Sequence, residues 1–149
     1  MLEERFLPTT ALVIACGDSD HGKDGFFPEI QEFLLEKHDL RMGQYFPLLR
    51  DGGPICLAYQ EELAVDFLSM KSSMLRIRRL KPEIKTAILF VHGPCGYHGD
   101  ALPSKKDKLP EKNIGPRILE TAEDILRGMK ILGYFKPNTK QKTDFMPIP

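Results

Sequence analysis

The sequence predicts an α/β fold, a mainly parallel central sheet with helices on both faces. Three observations lead there. Two short, continuously apolar runs, "ALVIAC" (11–16) and "TAILFV" (86–91), read as strands covered on both sides. Two longer stretches carry apolar residues at alternating spacings of 4 and 3, the stripe of a helix packed along one face. Strand-like and helix-like segments alternate along the chain, the order that builds parallel sheets.

Taken in order, the first strand runs into the loop "DSDHGKDGF". Pro28 then suits the first turn of a helix, "PEIQEFLLEKHDL", with Ile30, Phe33 and Leu34 at helical spacing and His38 capping its carboxyl end. "QYFPLLR" (44–50) reads as a second strand, and Pro47 places it at an edge or a bulge. After the break "DGGP", the spacing predicts a helix from about Leu57 to Leu80. Leu63, Phe67, Met70, Met74 and Ile77 form its stripe, and Pro82 lies beyond its end. The third strand (86–91) opens onto a loop of roughly 25 residues, long enough to be functional. A last helix is expected from Pro116 to Leu132 with Gly133 as its cap, and the Pro-rich tail has room for one short edge strand.

A length of 149 residues is close to the commonest size of a single domain, and residues 1–149 are read as one. The 21 basic and 21 acidic residues balance, so bulk charge favours neither nucleic acid nor a membrane surface. The basic run "MLRIRRLK" (74–81) reads as the solvated face and last turn of a helix. The start "MLEERFLPTT" lacks the features of a signal peptide, and no apolar run approaches the roughly 20 residues of a membrane span. Three cysteines cannot all pair, which fits a reducing compartment and a cytoplasmic location. No phosphate-cradling glycine motif is present.

Chemistry gathers where strands end. The first runs into Cys16, Asp18, Asp20 and His21, the third into His92, Cys95 and His98. Ligands of parallel sheets bind beyond the carboxyl ends of strands. Zinc favours Cys sulfur and His nitrogen, and its catalytic sites use three protein ligands. Cys16, His92 and Cys95 would make such a Cys₂His set, two of them three residues apart across a Gly-Pro turn. Other readings stand beside it. A cysteine at a strand end is commonly a small buried hydrophobe, and that is the reading for Cys56. His92, Cys95 and His98 form a second ligand set, which leaves Cys16 unexplained. His21 and His98 read as solvated loop residues, with proton transfer as the alternative.

Between Leu12 and Gly96 the chain resembles the β-class carbonic anhydrases, whose signature is C-x-D-x-R after the first strand and H-x-x-C after a later parallel one. Here these are "CGDSD" (16–20) and "HGPCG" (92–96), in the contexts "LVIACGDS" and "ILFVHGPCG". "YFPLLRDGGP" resembles the family's strand leading to Arg-Asn-Gly, with Arg50 and Gly53 in register. The resemblance implies a β-carbonic-anhydrase-like fold and one Zn²⁺ per chain on Cys16, His92 and Cys95. It implies that Asp18 is the carboxylate beside the fourth position, and that zinc-bound hydroxide hydrates carbon dioxide reversibly. The partner it implies is a small-molecule substrate, and the assembly a homo-oligomer, a dimer.

The chain departs from the pattern at Asp20, which stands where the family has Arg. That Arg holds the aspartate off the metal. Without it Asp18 is free to close the site, and Asp20 adds like charge beside it. Arg50 is the first substitute cation and Lys23 the second. The family's amino-terminal arm, which packs on a partner, is not matched in the ten residues before the first strand, so the dimer stays open. Two alternatives to catalysis follow: a closed-site zinc protein that binds or senses, and a thiol-redox protein using Cys16 and Cys95.

Overall fold

The computed structural model describes residues 8–17, 25–92, 111–136 and 145–149. Their elements are β1 (Ala11–Cys16), α1 (Phe26–His38), β2 (Tyr45–Arg50), a 3-10 segment (Gly53–Ala58), α2 (Ala64–Leu80), β3 (Thr86–His92), α3 (Glu111–Ile125), β4 (Lys130–Lys136) and β5 (Met146–Pro147). The sheet order is β2-β1-β3-β4-β5. The first four strands are parallel, and β5 adds antiparallel to β4.

β1 lies inside this sheet, between β2 and β3, and all six of its residues are buried. That is why its sequence is apolar without alternation. One core cluster joins Leu12, Ile14 and Leu89 to Met70, Met74 and Ile77 of α2 and to Ile118 and Ala122 of α3. The other joins Val13, Ala15, Ile88 and Phe90 to Phe26, Ile30 and Leu34 of α1. Helices therefore cover both faces, with α1 on one and α2 and α3 on the other, as expected. β2, with Pro47, is at one edge, as expected.

Three expected boundaries are corrected. The second helix begins at Ala64 rather than Leu57, because Leu57 is buried in the 3-10 segment that Pro54 opens. The first helix begins at Phe26, two residues before Pro28, which still falls in its first turn. The last helix is Glu111–Ile125, and residues 130–136, partly assigned to it from sequence, are β4. Ile118, Ala122 and Ile125 follow the helical stripe, but Met129 and Leu132 continue its spacing by coincidence. Gly128, at φ 89°, turns the chain before β4. Gly133 is a strand residue, not a cap. A Cβ there would come within 2.6 Å of Leu119 Cδ2, so the missing side chain lets α3 lie close on the strand. The tail does supply a short edge strand, β5.

His38 is the last residue of α1, but the cap itself is Asp39, whose left-handed backbone donates its N–H to the Leu34 carbonyl, so the expected capping role of His38 is corrected. Its ring also reaches across to β4, where Nε2 and the Tyr134 hydroxyl are hydrogen-bonded at 2.9 Å. Burial, with a smaller contribution from the Lys130 charge, lowers its pKa from the ordinary 6.5. A lowered value means that folding favours the neutral ring. The stabilisation is complete above pH 6.5 and is lost as pH falls from there through the folded-state value. The melting temperature should therefore fall more steeply between about pH 7 and 5 in the wild type than in His38→Gln. Superimposable pH profiles for the two proteins would refute this.

Candidate functional site

The order of the strands identifies where a ligand belongs. From β1 the chain crosses by α1 to β2 on one side, then returns past β1 by α2 to β3 on the other. The sheet thus reverses its winding between β1 and β3, and clefts in such sheets open there, beyond the strand carboxyl ends. Cys16 is the last residue of β1, and His92 the last of β3. Ile14 pairs with Leu89, and the same register carried two residues on sets Cys16 beside Val91 with His92 one step beyond. Neighbouring strands lie about 4.8 Å apart.

Both side chains are 3% exposed. Cys16 belongs to the cluster on the α1 side of the sheet. His92 follows Ile88 and Phe90 on that side by strand alternation, and the ring of Phe26 meets it edge-on at 4.7 Å between centroids. A thiol and an imidazole thus stand at one end of the sheet, on adjacent strands. On the opposite side the 3-10 segment presses against the end of β1. A Cβ on Gly53 would lie 2.5 Å from the Cys16 nitrogen and 2.6 Å from the Ala15 carbonyl carbon.

The remaining sequence candidates divide into two groups. Asp18, Asp20, His21, Lys23, Cys95 and His98 lie outside the described residues. Arg50 is described, and it aligns with Cys16 in the β1–β2 register. Its guanidinium donates to Ser69 Oγ of α2 at 2.9 Å, which places it on the α2 side rather than with His92. Cys56 is a core residue of the α2 side, and burial pushes its thiol up to about 11. It stays protonated at neutral pH and unreactive, as its sequence reading expected.

The structure adds a pair that sequence reasoning missed. Lys136, the last residue of β4, is 2% exposed and pairs in register with His92. Its ammonium is ion-paired with Glu29 in the first turn of α1 and lies 5.7 Å from the Phe145 ring centroid. Nothing local in the sequence marks this, since Glu29 and Lys136 are 107 residues apart and each suits a solvated position.

Among the described residues no group of three or more His, Cys, Asp or Glu is placed to hold a metal ion, and no helix is long and apolar enough to cross a membrane. The two described candidates fit zinc in kind: one sulfur and one imidazole donor, both buried at adjacent strand ends.

No family model matches the sequence, and no curated protein matches it. Among solved structures the chain is similar to a carbonic anhydrase from Glaciozyma antarctica, with a TM-score of 0.54 and 15% identity over 95% of this chain and 83% of that one. At that identity the likeness concerns the fold, which is a carbonic-anhydrase-like α/β arrangement of a central sheet between helices.

Proposed function

We propose that this chain is a zinc protein of the β-carbonic-anhydrase type that hydrates carbon dioxide reversibly. One observation carries the reading: Cys16 and His92, the residues that the two sequence motifs contribute first, end the two adjacent strands flanking the switch point and are both buried. The carbonic-anhydrase-like fold supports it. In this reading Cys16, His92 and Cys95 hold the metal, and their two thiolates balance its charge. The chemistry that zinc supplies when bound is the activation of water near neutral pH. Asp18 would accept a hydrogen bond from that water and so orient it. Phe26, packed edge-on against His92, fixes the imidazole and excludes water from its flank. The partner is a small molecule.

Asp20 in place of Arg favours a second reading, in which Asp18 closes the site and the protein binds rather than turns over. Zinc analysis followed by stopped-flow carbon dioxide hydration at pH 7 to 9 decides between them. The expected result is about one zinc per chain, with turnover lost in Asp18→Ala. Zinc without turnover selects the closed site. A folded protein that takes up no zinc overturns both, and a reversible Cys16–Cys95 disulfide would then mark a redox protein.

A further inference from the structure

The geometry points to Lys136 as a binding residue for a small carboxylate-type monoanion, hydrogencarbonate or a short carboxylate, at the strand ends beside His92. This rests on the proposed function for its place in a reaction, but not for its physical basis.

A buried ammonium is costly unless it is paired, and a pair of this kind seldom stabilises a fold more than apolar residues of similar size would. Lys136 nevertheless carries its charge into a 2% exposed position at the end of the sheet where ligands bind. It lies on the α1 side, two residues on from Tyr134 of that cluster and so on the same face, and reaches Glu29 of α1. His92 is its register partner on β3. An ammonium has three donors. Among the described residues one acceptor, the Glu29 carboxylate, takes a hydrogen bond from it, and the Phe145 ring provides an apolar wall with a negative face. Among the described residues nothing else accepts from it, which leaves two donors for an incoming oxyanion on the side of its register partner His92.

Glu29 is 25% exposed at its side chain, so it can turn toward solvent and share the ammonium with a ligand. Its negative charge also keeps binding weak. A residue that receives an anionic product must release it quickly, and a neutral pair does so better than an isolated cation. For carbon dioxide hydration the substrate is uncharged and the product is an anion, so Lys136 would discriminate between them.

The test uses the full chain and sodium formate, a carboxylate that the proposed reaction does not consume, titrated against sodium chloride at constant ionic strength. Binding is read from amide chemical shifts, with zinc content measured on the same samples. Wild type should show saturable shifts at the ends of β3 and β4. Lys136→Met, close in shape, should weaken formate binding by about tenfold or more, Lys136→Arg should retain most of it, and Glu29→Gln should tighten it several-fold. Cys16→Ser should still bind formate, which separates Lys136 from any anion site on a metal. The inference fails if Lys136→Met binds formate as the wild type does, or if no saturable shift occurs. It also fails if binding disappears in Cys16→Ser. Should Lys136→Met not fold, Glu29→Gln decides, and unchanged or weaker binding there overturns the assignment. Formate binding through Lys136 in a zinc-free chain would remove the proposed function and leave this inference standing. Zinc and turnover with formate binding indifferent to Lys136 would do the reverse.

Discussion

Replacing Cys16 by Ser is expected to take zinc from about one per chain to nearly none. A serine hydroxyl stays protonated where a thiolate would bind, so both charge and softness are lost. Residues that merely orient a metal's ligands cost about 10- to 100-fold in affinity when mutated, and loss of a ligand should exceed that. Stability should change little by comparison. A buried hydroxyl in place of a small apolar thiol costs about 1–3 kcal/mol. Cys56→Ser is the control. It carries a comparable stability cost in the α2-side core and should leave zinc content untouched. Equal zinc content in Cys16→Ser and wild type, measured by elemental analysis on folded protein, would remove Cys16 from the site.

Gly53→Ala is expected to be the most damaging small substitution among the described residues. Gly53 has φ 55°, a left-handed conformation costing an alanine about 1–2 kcal/mol. The added Cβ would also meet backbone atoms of Ala15 and Cys16 at 2.5–2.6 Å, and backbone cannot swing aside as a side-chain tip can. Overpacking of this kind costs about 1–3 kcal/mol. Together these predict a loss of about 2–5 kcal/mol, a melting-temperature drop of roughly 4–20 °C for a chain of this size. Relief of the clash must shift the end of β1, so zinc affinity should fall as well. Gly133→Ala meets only side-chain atoms and should cost less. A Gly53→Ala protein as stable as the wild type would refute the close packing of the 3-10 segment on β1.

Much of the fold was legible because its strongest signals are local. "ALVIAC" and "TAILFV" announce buried parallel strands by having no polar face, and Phe67, Met70, Met74 and Ile77 announce α2 by their spacing. The end of the chain was misread for an equally local reason. Ile131 and Leu132 are compatible with helix or strand, and the choice was made by Gly133 receiving Leu119 and by β4 pairing along β3. Cys16 and His92 were legible as strand ends bearing metal-type donors.

The sequence by itself determined that an α/β sheet would form and that a thiol and an imidazole would stand at the carboxyl ends of two of its strands, because hydrophobic periodicity and residue chemistry are written position by position. Tertiary structure alone decided that β1 and β3 are neighbours at the reversal of the winding, and that Arg50 turns to Ser69 on the far side. It also decided that Lys136 is buried beside His92 against Glu29. Those outcomes depend on which strands pair and which face each helix covers, and these follow from the packing of the whole chain rather than from any segment of it.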